Sequence, residues 1–211
     1  MNTSRLPGSR SLRYRECSFS LLLKNNGTGF GIRLVCPHMK NYSWEKSFLE
    51  IFESCTDRYR AGQRDPNTLY SSDEMTFLRS IGYKPREFFD FIEDYVEESD
   101  PTPIAAVLIA SVRRDFFLSE QKAQPSKHEV APGELPSRDA ELEGIRWLPR
   151  IITKARAKLR GELHPDIMYA CGGDRNFLNN HDIHPADFLR FLWGAGEDNG
   201  KIADYVRQSP S

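Results

Sequence analysis

The chain has no long hydrophobic run. The triplet Leu21-Leu22-Leu23 has charged or polar neighbours within a few residues, far short of the roughly 20 apolar residues a membrane-spanning helix needs. Ser18 to Leu23 also lacks the apolar region and small-residue cleavage site of a signal peptide. An excess of one charge is missing too. Lys and Arg number 29 against 30 Asp and Glu, for a formal net charge of −1. A whole-chain attraction to nucleic acid or an anionic membrane is therefore not predicted, and any such attraction has to be local. Cysteine is scarce: Cys17, Cys36, Cys55 and Cys171 form no C-x-x-C pair and no standard zinc spacing. No metal or cofactor is implied, and a reduced cytoplasmic setting fits best.

What is present is helical grammar. With 211 residues and 39% apolar content, the chain can build one substantial core or two small ones. Residues 1–38 carry Arg5, Arg10, Arg13, Arg15, Lys24 and Arg33 against the single acid Glu16, which reads as a disordered basic arm. A start of translation at Met39 is a further reading, since the helical pattern begins directly after it. From Trp44 the apolar residues Phe48, Leu49, Ile51, Phe52 and Tyr59 recur at helical steps and end at Gly62, predicting a helix over 44–61. Ser71 and Glu74 have capping-box spacing. Pro85 and Asp100-Pro101 open two more helices. The second of these is rich enough in apolar residues to be the most buried, with Arg113-Arg114-Asp115 as its solvated end.

Residues 119–140 contain Pro125, Pro132, Gly133 and Pro136 and read as a linker or extended strap. A helix from Pro149 to Gly161 follows, then shorter helical patterns at about 175–180, 185–193 and 198–207. The expected fold is all-α: a first helical unit at 39–118 and a related second unit at 141–211, joined by the proline-containing linker.

The relation between the units is a repeat. Phe48-Leu49, Phe52, Gly62 and Tyr70 match Trp147-Leu148, Ile151, Gly161 and Tyr169 at an offset of 99. After a one-residue insertion, Phe77-Leu78, Pro85, Phe88-Phe89 and Phe91 match Phe177-Leu178, Pro185, Phe188-Leu189 and Phe191 at an offset of 100. Ile81 falls near Ile183. The order of glycine stop, short helix, turn and proline-started helix predicts an internal duplication.

Chemistry concentrates in the second unit. At 100° per residue, Leu148, Ile151, Ile152, Ala155 and Leu159 form a packing face, while Arg150, Lys154 and Lys158 line one side of it and Arg156 and Arg160 the other. The corresponding first-unit helix carries Glu50, Glu53 and Asp57 instead. The bland reading of the basic residues is a solvated face paired with Glu162 or Asp166; the functional reading is an anion site. In "YACGGDRNFL", residues 169–178, Asp174 is placed to cap a helix beginning at Arg175. Gly172 and Gly173 free backbone N–H groups to face an anion, and Cys171 is a candidate nucleophile with His164, His181 or His184 as base. His184 also sits where a cap residue belongs.

These stretches, "LPR" at 148–150, "KARAKLRG" at 154–161 and "CGGDRNFL" at 171–178 with Ile183 and Phe188-Leu189, resemble the bacterial domain of unknown function 5069 family over about the last 65 residues. Thr153 stands where that family often has Asp. The resemblance implies a bacterial origin and a compact helical domain, and no reaction.

The residues support three functions. The first is a non-enzymatic binding module that holds an anion with Arg150, Lys154, Lys158, Gly172, Gly173, Asp174 and Arg175; its partner would be an anionic small molecule, an acidic protein surface or nucleic acid, and not a membrane. The second is a thiol-dependent enzyme using Cys171. The third is a nucleic-acid-binding protein, whose recognition helix would be 185–193; Phe188, Leu189, Phe191, Leu192 and Trp193 make that segment read instead as a packing helix.

Overall fold

A computed structural model of the chain describes residues 39–208, so the basic arm expected over 1–38 lies outside the described residues. Within them the protein is mostly helical, as expected. The first half contains α1 (Met39–Tyr42), α2 (Trp44–Arg60), α3 (Ser72–Ser80), α4 (Pro85–Glu98) and α5 (Pro103–Ser119). The second contains α6 (Leu148–Arg160), α7 (Gly172–Asn180), α8 (Pro185–Ala195) and α9 (Asn199–Gln208). Among the described residues no helix is long and apolar enough to cross a membrane.

Local chemistry explains most helix starts. Ser71 Oγ accepts from Glu74 N–H while the Glu74 carboxylate accepts from Ser71 N–H at 2.7 Å, closing the expected capping box. The helix expected at Asp100-Pro101 starts two residues later, because Thr102 Oγ1 caps Ala105 N–H and Pro103 takes the first helical position. His184 caps α8 through Nδ1, which accepts from Ala186 N–H at 3.1 Å.

A two-stranded hairpin, β1 (Glu141–Leu142) against β2 (Ile145–Arg146), precedes α6 and was not expected. Its tip residues Glu143 and Gly144 both have positive φ, 51° and 78°, the backbone of a type I′ turn. The 119–140 segment is a strap tied to the end of α6. Val130 N–H donates to Glu162 O at 2.8 Å, and Ser126 Oγ donates to Glu162 Oε1 at 2.6 Å.

The two sets of helices share one core. The apolar cluster runs without a break from Phe48 and Phe52 through Phe88, Ile109 and Ile151 to Phe188 and Val206, with α5 packed against α2, α6 and α8. Arg113, expected at a solvated helix end, is only 1% exposed. Its guanidinium donates to Gly82 O at 2.9 Å and Gln121 Oε1 at 3.0 Å, while Gln121 donates on to Arg160 O. Arg113 thus ties the turn after α3 to the end of α6, and its aliphatic stem lets the charge reach these acceptors from inside the core.

Several hydrogen bonds recur between the halves. Tyr70 and Tyr169 each donate to a proline carbonyl, Pro85 O and Pro185 O, at 2.8 Å. Tyr83 N–H and Ile183 N–H each donate, at 2.9 Å, to Leu78 O and Leu178 O respectively. In these bonds Tyr83 takes the place in the first half that Ile183 takes in the second.

Candidate functional site

Each of the five cations of α6 has a partner within the chain. Arg150 donates to Pro136 O at 2.8 Å and lies over the Trp147 ring. Arg156 donates to Gly196 O and Asn199 Oδ1, and Arg160 pairs with Glu197. Lys154 and Lys158 are buried, 3% and 2% exposed, and this corrects the expected solvated basic face. A 3.6-residue period gives a side chain's direction on the helix but not what lies across from it. Opposite these two lysines stand Asp174 and Glu87, not Glu162 or Asp166.

Asp174 is the centre of a closed cluster. Its Oδ2 accepts from Lys154 Nζ at 2.5 Å and Ala170 N–H at 3.1 Å, and its Oδ1 from Trp147 Nε1 at 3.0 Å. Three donors satisfy a carboxylate that is wholly buried. This corrects its expected role, because α7 begins at Gly172 with Cys171 as the preceding residue. Asp174 therefore sits inside the first turn and reaches back to Ala170 rather than capping a helix at Arg175.

The two glycines are helical, not a loose anion loop. Gly173 serves packing: a Cβ there would meet the Trp147 ring at 2.8 Å. Trp147 itself holds a left-handed backbone, φ 74°, a strained state compatible with its indole bond to Asp174. Cys171 is partly exposed, with Sγ 3.2 Å from Lys154 Nζ. Among the described residues no hydrogen bond joins Cys171 to a histidine. His164 accepts from Asp166 N–H, His184 caps α8 and His181 packs against Phe177.

The first half holds a comparable cluster. Arg58 on α2 pairs with Glu74 in the first turn of α3 at 2.5 Å, and its guanidinium lies 3.6 Å from Cys55 Sγ. Arg58 was overlooked beside the acids of its helix. Cys55 is fully buried, and burial pushes its thiol up to about 12. Cys171 is the more accessible thiol of the two.

Lys158 joins α6 to α4. Its Nζ lies 3.1 Å from Glu87 Oε1 and over the rings of Tyr83 and Phe91, 4.4 and 5.0 Å from their centres. Burial pushes its ammonium below the usual range, with Glu87 opposing. One turn along α4, Asp90 faces Arg86 Nε at 2.8 Å, an ion pair without hydrogen-bond alignment. Burial pushes the Asp90 carboxyl up to about 7.

An open groove of about 580 Å³ lies between the loop before α5 and the turn joining α7 to α8. Asp100 and Thr102 line it from one half, and Arg175, Asn179, Asp182 and His184 from the other. Of the expected site residues, Arg175 and the candidate base His184 are in the groove wall; Lys154 and Asp174 lie together in the core, and Arg150 and Lys158 bond elsewhere. Arg175 is held by Asp94 at 2.7 Å, Glu98 at 2.5 Å and Asp100 at 2.8 Å. Asp100, Thr102 and Asn179 had no sequence signal as site residues, because the groove exists only where distant segments meet. Among the described residues no group of three or more His, Cys, Asp or Glu side chains is placed to hold a metal ion.

Residues 134–211 match the family model described as Domain of unknown function (DUF5069), so the resemblance of the C-terminal part is correct. No curated protein and no solved structure matches the chain.

Proposed function

We propose that the protein is a non-enzymatic binding module whose ligand site is the groove between the α5 entrance and the α7–α8 turn. The observation that carries this reading is the groove itself, large enough for a small ligand and walled by both halves of the chain. Rigid support favours it as well: Arg175 is anchored by three carboxylates, and the turn rests on the buried residues Leu178 and Ile183. The anion reading of the basic helix has less to draw on, since Lys154 and Lys158 are already neutralised inside the fold.

Asn179→Trp tests the site, because this exposed residue lines the groove and a large ring there obstructs it. A panel of small metabolites, phosphate and nucleotides included, is expected to contain a compound that raises the wild-type melting temperature, with the rise lost in Asn179→Trp. A rise that survives the substitution places the ligand elsewhere.

One observation favours the thiol-dependent reading, the Cys171–Lys154 contact of 3.2 Å. It predicts alkylation of Cys171 that slows when Lys154 is replaced by Met; an unchanged rate removes Lys154 from any such chemistry. The recurring tyrosine–proline and turn hydrogen bonds likewise support our reading of the halves as copies of one duplicated unit.

A further inference from the structure

We infer that the groove takes a small organic cation, a primary ammonium or guanidinium group on a short apolar stem. The inference rests on the groove reading above and specifies its ligand. It follows from which polar groups in the groove are already engaged.

The one cationic donor of the groove and an N–H at each of its two helix starts are engaged inside the chain, which leaves the neutral Asn176 and Asn179 amides as side-chain donors. Arg175 directs Nη1 to Asp94 and Ala170 O, Nη2 to Glu98 and Nε to Asp100. Two helices begin at the groove, and each would ordinarily offer free N–H groups to an anion. Both start with proline, Pro103 and Pro185, which has no N–H to give. Thr102 Oγ1 then occupies Ala105 N–H, and His184 Nδ1 occupies Ala186 N–H.

Acceptors remain. The Asp182 carboxylate is exposed and has no ion-pair or hydrogen-bond partner among the described residues. Asp100 is bonded through Oδ2 and its side chain is half exposed. The Asn179 carboxamide can accept or donate and favours neither charge, so the two carboxylates carry the preference. Charge points the same way, since one guanidinium faces Asp94, Glu98 and Asp100 with Asp182 nearby. Burial raises the Asp94 carboxyl, and the like charges of Glu98 and Asp100 add to the rise against the opposing Arg175. An anion would add to this excess, whereas a cation relieves it. Pro101, Ala105 and Pro185 supply an apolar wall for the stem.

Titration calorimetry on the full chain tests the inference, with agmatine as the cationic probe and phosphate as the anionic one. Agmatine carries both an ammonium and a guanidinium on a four-carbon stem. It is expected to bind where phosphate does not, about three- to fivefold more weakly in Asp182→Asn and not at all in Asn179→Trp. Binding unaffected by Asn179→Trp overturns the site. Phosphate binding that Asn179→Trp abolishes, with agmatine inert, overturns the cation class and leaves the groove reading standing. An acetylated, amidated arginine that binds more tightly than agmatine overturns the free-cation assignment in favour of a protein side chain. If neither agmatine nor phosphate binds, the cation inference fails, and the metabolite panel decides the groove separately.

Discussion

Lys154 and Asp174 form an ion pair closed off from solvent, with Nζ 2.5 Å from Oδ2 and side chains 4% and 0% exposed. A pair of this kind contributes less through its attraction than through what its loss leaves behind, an uncompensated charge in the core. Asp174→Ala removes the partner of Lys154 and also orphans Trp147 Nε1 and Ala170 N–H. It is expected to destabilise the protein by about 3–5 kcal/mol. Adding Lys154→Met removes the stranded charge and should recover part of that loss, measured by urea denaturation of the two single variants and the double. Additive losses would show that the residues are not coupled.

Asp90 makes stability depend on pH. Burial pushes its carboxyl up to about 7; Arg86 and Lys158 oppose the rise and Glu87 and Glu93 add to it. The folded value lies above the unfolded value of about 3.9, so the native state binds the proton more tightly. This group's contribution is complete below about pH 4 and is lost as pH rises through about 7. The wild-type stability minus that of Asp90→Asn should fall between pH 4.5 and 7.5, by at most about 1.4 kcal/mol per pH unit. Urea titrations across that range check it. A difference that is flat or rising removes Asp90 as the cause.

Gly62 and Gly161 separate backbone strain from crowding. Both have positive φ, 98° and 68°, and a left-handed alanine costs about 1–2 kcal/mol at either position. A Cβ at Gly62 meets open space, whereas at Gly161 it would stand 2.3 Å from Arg113 Nη2. Gly161→Ala is therefore expected to lower the melting temperature clearly more than Gly62→Ala. Equal losses would mean that Arg113 moves aside freely and its buried bonds to Gly82 and Gln121 contribute little.

Much of the fold was legible from local rules. Ser71 and Glu74, Pro85, Pro185, Gly161 and the aromatic spacing of α2, α4 and α8 each state a helix end or a buried face within a few residues. The hairpin before α6 was missed because two-residue strands carry almost no periodic signal, and its Glu143-Gly144 tip is short. The helical start of α7 was missed because two glycines read as a loop, and Gly173 is helical where the Trp147 ring needs the space.

The candidate site was less legible. Lys154 and Lys158 were visible as a basic row, but their partners lie 20 and 71 residues away. Such a pairing follows from how helices cross, which no window of sequence contains. Arg113 shows the same thing, since its stem buries while its charge is matched by the Gly82 carbonyl from another turn.

The sequence by itself determined the helical class, most helix boundaries and the shared tyrosine and proline positions of the two halves, because these rest on contacts and caps a few residues apart. The tertiary structure alone decided which charges face inward, which of the two described thiols is the more accessible and where a groove opens. Those outcomes depend on segments brought together across the core, where burial makes an unmatched charge costly and so sets each cation against its carboxylate or carbonyl.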